Sequence, residues 1–216
     1  MSYSIEQIAE IIGARRVGNV PAAIDWLLTD SRSLSFPEDT LFFALATKRN
    51  DGARYIPELY VRGVRNFVLT EDAFRQLEAP QADANYLLVS QPLKALQKLA
   101  EHHRSRFQIP VIGITGSNGK TVVKEWLHQL LSPDRVTVRS PRSYNSQIGV
   151  PLSVWRMDER DELAILEAGI SQPGEMKALE AIIKPTIGIL TNIGGAHQEN
   201  FFSLPDKCQE KPDLFQ

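Results

Sequence analysis

Apolar positions along the chain fall into two rhythms. Near the start, Ser4-Ile5-Glu6-Gln7 forms a capping-box pattern, and Ile5, Ile8, Ile11 and Ile12 recur on one helical face until Gly13 stops the run. The spacing predicts a short helix. Strand-like runs follow at Ala23–Leu28 and Leu41–Ala46. A helix is expected over Arg54–Arg62, ending at Gly63, and strands at Asn66–Leu69 and Tyr86–Val89 with a polar helix between them. Residues 1 to about 90 therefore read as a small α/β unit. Pro92 suits the first turn of a helix whose stripe, Leu93, Leu96, Leu99 and Ala100, runs as far as Phe107 as core packing. Pro110 follows, so the border between two domains is placed near residues 107–109, giving 1–107 and 108–216. No repeat, low-complexity tract or flexible linker interrupts the pattern.

Beyond this border the alternation is regular. Strands are expected at Val111–Thr115, Arg135–Arg139, Leu163–Glu167 and Thr186–Asn192, and helices at Lys120–Leu131 and Gly174–Ile183. Nearly all-apolar strands such as Ile187-Gly188-Ile189-Leu190, alternating with helices, predict a parallel sheet covered on both faces. The fold class is α/β: a small N-terminal α/β domain followed by a parallel-sheet domain with a phosphate loop.

Ligands of such sheets collect at the carboxyl ends of the strands. The first central strand runs into Gly116-Ser117-Asn118-Gly119-Lys120-Thr121, a glycine-rich turn opening a helix. Glycines let backbone N–H groups close around an anion, and the helix N-terminus adds positive potential. Lys120 can reach outer phosphates, and the Thr121 hydroxyl can ligate Mg²⁺. The motif is a variant, because Ile114 stands where the strict pattern has glycine. Glu167 ends a second strand and suits Mg²⁺, since hard cations choose oxygen ligands. His197 lies five residues past Asn192, the end of a third strand, and could ligate a metal or orient a phosphate. The polar run Ser143–Pro151 reads either as a substrate-binding loop or as a plain turn. His102, His103 and His128 lack metal-site spacing and read as surface or structural.

Composition narrows the class. With 43% hydrophobic and 23% charged residues the chain reads as a soluble globular protein. A net charge of −2 excludes general attraction to nucleic acid or anionic membrane. No run approaches a membrane span, and the N-terminus lacks a signal peptide's basic start and apolar core. The single Cys208 cannot form an intrachain disulfide and suits a reducing, cytoplasmic setting; it reads as a packing residue rather than a nucleophile.

Five segments together resemble the Mur ligase family, the ATP-dependent amide-forming ligases of peptidoglycan precursor synthesis. They are TDSRS at 29–33, GITGSNGKT at 113–121, YNSQIGVP at 144–151, EAGISQPGEM at 167–176 and KPTIGILTNIGGAHQENF at 184–201, in the family's order along nearly the whole chain. Within the family the chain most resembles the members that add D-Ala-D-Ala to UDP-MurNAc-tripeptide. The style of residues 138–155 is similar to versions fused to an alanine racemase domain downstream.

The resemblance implies ATP and Mg²⁺ as cofactors and a role for each matching residue. Ser31 and Arg32 would meet the UDP end of the precursor, and Gly116, Ser117, Asn118, Gly119, Lys120 and Thr121 would cradle the ATP phosphates. Thr121 and Glu167 would share one Mg²⁺ and His197 a second; Asn145 matches the substrate-loop asparagine. Lys211 matches a lysine carried as a carbamate, which would turn a cation into an anion beside the metals. Lys120, Glu167, His197 and Lys211 form the implied catalytic set, with no nucleic acid and no membrane partner. Departures exist: Ala53 replaces the histidine of the family's DGH, Ser146 the second asparagine of the substrate loop, and Val122-Val123 further hydroxyl residues, while Pro212 follows Lys211. Family members continue with more of the central sheet and a C-terminal domain, so 216 residues alone are expected to show little ligase activity. The alternative readings are a non-catalytic UDP-precursor-binding module or remnant, or a folylpolyglutamate-type ligase; TDSRS and the small first domain argue against the last.

Overall fold

The computed structural model describes residues 2–47, 50–172, 174–192 and 214. In chain order the elements are β1 (Tyr3–Ser4), α1 (Ile5–Ile12), β2 (Arg15–Val17), β3 (Ala23–Ile24), β4 (Trp26–Leu28), β5 (Thr40–Phe43), β6 (Ala46–Thr47), β7 (Asn50–Asp51), α2 (Ile56–Val61), β8 (Asn66–Leu69), α3 (Glu71–Arg75), β9 (Asn85–Leu88) and α4 (Pro92–Ser105). They continue with β10 (Val111–Thr115), α5 (Lys120–Leu131), β11 (Thr137–Arg139), α6 (Gly149–Val154), β12 (Leu163–Glu167), α7 (Glu175–Ile183) and β13 (Ile187–Leu190). The chain forms two compact units, Met1–Leu99 and Ala100–Gln216.

In the first unit, α1 starts as the sequence predicts. The Ser4 side chain accepts from the Gln7 amide, the Gln7 side chain accepts from the Ser4 amide, and Gly13 closes the helix at φ 70°. Its five-stranded sheet runs β2-β9-β8-β5-β4, parallel except for β2, which pairs antiparallel with β9. Phe42, Phe67, Leu69, Tyr86 and Leu88 share one apolar cluster with Ile56 and Leu59 of α2. The alternate positions Leu41, Phe43, Val68 and Leu87 are fully buried as well, so both sheet faces are covered.

Three expected elements differ here. The run Ala23–Leu28 is two strands in two sheets, because the amides of Asp25 and Trp26 both donate to Asp39 O and the chain changes partner there. The run Leu41–Ala46 is strand only to Phe43; Ala46 belongs to a small hairpin with Asp51. The helix expected over Arg54–Arg62 begins as a 3₁₀ turn, Gly52–Tyr55, and becomes α-helical at Ile56, with Pro57 in the first turn.

Among the described residues the second unit holds a four-stranded, wholly parallel sheet in the order β11-β12-β10-β13. Alternation sorts its side chains. Val111, Val138, Ala164 and Leu166 pack with α6 and α7 through Val150, Val154, Met176, Leu179 and Ile182. Ile112, Ile114, Leu163 and Ile165 face Val123, Leu127 and Leu131 of α5. Among the described residues, cover on both faces holds for β10 and β12, whose residues are all buried, but not for β13, the last strand in the order. Ile187 and Leu190 are exposed there, and Ile189 alone of that strand joins the layer under α5. Strand β11 starts two residues later than expected, because the Arg135 amide still donates to Leu131 O at the end of α5.

Candidate nucleotide-binding site

The carboxyl ends of β10, β12 and β13 meet where the phosphate loop lies. After Thr115 the chain turns through Gly116, at φ 145°, and Gly119, at φ 83°, into α5. Both angles are left-handed and favour glycine. A Cβ on Gly116 would also stand 1.9 Å from Thr191 Oγ1, so this turn admits no side chain. Thr191 and Asn192, just past β13, brace the loop. Thr191 Oγ1 donates to Asn118 O (2.6 Å), the Ser117 amide to Asn192 O (2.9 Å), and the Asn118 amide to Asn192 Oδ1 (2.8 Å). Lys120 Nζ donates to Gly116 O at 2.7 Å, which folds the ammonium over the loop. Gly119 is the N-cap of α5 and brings no capping side chain, so the positive end of the helix is left to the loop.

Glu167 reaches this loop because the β10–β12 ladder pairs it with Ile114. The residue is fully buried. Thr121 Oγ1 donates to its Oε2 at 3.1 Å, and Asn145 Nδ2 to the same oxygen at 3.4 Å. Lys124 Nζ lies 2.9 Å from Oε1. That contact is an ion pair rather than an aligned hydrogen bond, since among the described residues Oε1 receives no hydrogen bond. The Thr115 hydroxyl is likewise buried without a hydrogen-bond partner there. A buried carboxylate with lone pairs to spare, next to a threonine hydroxyl, is a donor set for a hard cation such as Mg²⁺. Among the described residues no three His, Cys, Asp or Glu side chains gather. A metal here would rest on Glu167, Thr121 and ligand oxygens, the manner in which Mg²⁺ is held beside phosphates.

The structure thus brings together Gly116, Ser117, Asn118, Gly119, Lys120, Thr121, Asn145 and Glu167. His197, Lys211 and Cys208 lie outside the described residues. His103 is buried with Nε2 at 3.0 Å from Met157 O, His128 contacts Thr137, and His102 is exposed, so these three are surface or structural residues.

In the first unit, Thr29, Asp30, Ser31, Arg32, Arg54 and Tyr55 line a cleft of about 420 Å³. The Arg32 guanidinium is 2.6 Å from Asp30, which lowers the Asp30 pKa through that hydrogen bond, and Asp30 also accepts the Arg32 amide. Ser31 is buried, and its carbonyl accepts from Arg62 Nη1 at 2.8 Å.

Residues the sequence reading passed over are Lys124, Ser140, Thr191 and Asn192. Lys124 carried a signal: it follows Lys120 by four residues and Thr121 by three, on the same helical face. The bracing by Thr191 and Asn192 arises only when β13 pairs with β10.

A glycine-rich loop between a buried parallel strand and a helix, with a buried acid on the neighbouring strand, defines an α/β domain of the phosphate-loop class. Residues 114–216 match the Mur ligase middle domain. The UDP-N-acetylmuramoyl-tripeptide–D-alanyl-D-alanine ligase of Borreliella burgdorferi is 34% identical over 203 residues, covering 92% of this chain and 44% of that protein. The Bacillus subtilis ligase of the same name is 34% identical over 88% of this chain and 40% of its own length. Among solved structures, MurF from Acinetobacter baumannii superposes with a TM-score of 0.87 at 25% identity, over 100% of this chain and 46% of that one. MurF from Thermotoga maritima, solved in complex with ADP, gives 0.74 at 29% identity over 87% and 42%. Over residues 114–216 the chain carries the middle domain of the Mur ligase family, and it spans less than half the length of these relatives.

Proposed function

We propose that these residues supply the UDP-precursor-binding domain, 1–107, and the central ATP-binding domain, 108–216, of a cytoplasmic ligase that joins D-Ala-D-Ala to UDP-MurNAc-tripeptide. The observation that carries this reading is the Thr121 hydroxyl set against the buried Glu167 carboxylate, one residue past Lys120 at an uncapped helix start. Relatives bearing that activity in their names, and one solved with ADP, support it.

In this reaction the γ-phosphoryl group of ATP passes to the free carboxylate of the tripeptide, giving an acyl phosphate. The amine of D-Ala-D-Ala attacks it, and phosphate leaves as the amide forms. The chain's part is positioning and charge neutralisation. Lys120, swung from Gly116 O to the outer phosphates, and the start of α5 face the anionic charge that gathers when ATP meets a carboxylate. Thr121 and Glu167 would hold Mg²⁺, which when bound neutralises phosphate charge. Asn145 addresses the peptide substrate beside Glu167, and Ser31 and Arg32 address the UDP end in the first unit. His197 and a carbamylated Lys211 keep the second-metal roles that the family resemblance implies.

Calorimetric titration of the chain with ADP and Mg²⁺ tests the reading. Binding is expected, and Lys120→Ala is expected to weaken it by ~1.5–3 kcal/mol, the usual worth of a hydrogen bond to a charged group. A well-folded chain that takes up no nucleotide would sink the assignment.

A further inference from the structure

Lys124 has no part in the proposed chemistry, yet it is fully buried at this site. A buried ammonium is costly unless its protons are matched. Here Nζ donates to Ser140 O at 2.8 Å and to Arg142 O, and it lies 2.9 Å from Glu167 Oε1 and 3.1 Å from Glu125 Oε1. Two of its three protons therefore go to the segment that follows β11, and the third faces the carboxylates. The same segment is tied to Glu167 a second way, because the Glu167 amide donates to Ser140 Oγ at 3.1 Å. Arg142 has φ 49°, a left-handed angle that a non-glycine side chain keeps only where its surroundings enforce it. Three residues on, Asn145 donates to Glu167 Oε2, and its carbonyl accepts the Gly169 amide at 2.7 Å.

The geometry points to Lys124 as a positioning residue. It takes Glu167 by Oε1 and so turns Oε2 toward the Thr121 hydroxyl, while its other protons fix the backbone that carries Asn145. A single cation thereby sets both the acid that faces the phosphate loop and the loop that addresses the second substrate. This rests on the reading that Glu167 and Thr121 hold the Mg²⁺ of a nucleotide.

The test uses the full 216-residue chain with ADP as probe, measuring affinity in EDTA and across a Mg²⁺ titration. Lys124→Met is expected to raise the half-maximal Mg²⁺ concentration at least tenfold, while affinity in EDTA changes less than threefold. In a Glu167→Gln background the same substitution is expected to shift the Mg²⁺ requirement less than twofold, since Lys124 acts through that carboxylate. An equal loss of affinity with and without Mg²⁺, or an unchanged Mg²⁺ requirement, would overturn the proposal and leave Lys124 a folding residue. If Lys124→Met does not fold, Lys124→Arg keeps the charge but displaces it. Its Mg²⁺ requirement is expected to rise at least threefold, and no rise overturns the proposal. Wild-type chain whose ADP binding ignores Mg²⁺ would overturn the metal assignment itself, and this proposal with it, a result distinct from a wild type that responds and a variant that does not.

Discussion

His103 is a residue whose burial can be read as a pH dependence. Its ring packs against Trp155 and Phe107, with centroids at 4.8 and 5.0 Å, and its Nε2–H donates to Met157 O. Burial pushes its pKa down to about 4, from the ordinary 6.5. The unfolded chain therefore binds the proton more readily between these values. The contribution of the neutral ring is complete above about pH 6.5 and is lost as the pH falls toward 4. A shift of that size corresponds to about 3 kcal/mol. Denaturant unfolding at pH 7 and pH 4.5 should show the loss in wild type and a flatter dependence in His103→Gln; an unchanged slope would remove His103 as the cause. Gly116 gives a second prediction at this scale. Alanine there meets Thr191 Oγ1 at 1.9 Å and inherits a left-handed angle. Gly116→Ala should cost about 1–3 kcal/mol in thermal unfolding and weaken nucleotide binding. Thr191→Ala should recover only part of the stability, because the angle remains.

At the scale of elements, the hold on α7 shows what a single arginine does. The buried Arg104 guanidinium donates to Ile183 O at 2.8 Å, Lys184 O at 3.0 Å and Phe107 O at 2.7 Å. Two of these are carbonyls at the end of α7 that the helix itself cannot satisfy. Arg104→Met should therefore destabilise the second unit by about 3–5 kcal/mol, as when one partner of a buried charged network is removed, with amide exchange rising first in α7. Much of the element order was open to sequence reasoning where local chemistry decides. The α1 capping box, the five buried residues of β12 and the lysine that opens α5 each carry their own signal. The rest depended on partners far away in sequence. The chain leaves one strand at Ile24 and enters another at Trp26 because Asp39 O takes the amides of Asp25 and Trp26, and no periodicity encodes that. At the site, the loop glycines, Thr121 and Glu167 were legible as types at strand ends. For Lys124 only the helical face was legible, by its spacing from Lys120 and Thr121; its burial was not, since a lysine within Val123-Lys124-Glu125 reads as solvated until the sheet and the 140–142 segment close over it.

For the molecule as a whole, each unit has its own apolar core, and this bears on where the chain can be divided. The compact units part at Leu99–Ala100, inside α4, which runs unbroken from Pro92 to Ser105. Leu96 and Leu99 are fully buried in the first unit's share of this helix, whereas Ala100 and, past the helix, Phe107 belong to the core of the second. A chain ending at residue 99 would cut the helix three residues after Leu96 and leave its last turns without the hydrogen bonds that hold them. A chain ending at residue 107 keeps α4 whole. Residues 1–107 should therefore unfold cooperatively, with slow amide exchange in β5, β8 and β9, and UDP added to them should raise their melting temperature in wild type but less in Arg32→Ala. Residues 1–99 should be less stable, losing the order of α4 first. The complementary piece, 108–216, lacks Ala100, His103, Arg104 and Phe107, and with them the three bonds that Arg104 makes. It should fold poorly on its own, whereas a piece starting at residue 92 should recover a cooperative transition. Equal stability of the pieces beginning at 92 and at 108 would show that α4 adds nothing to the second unit's stability.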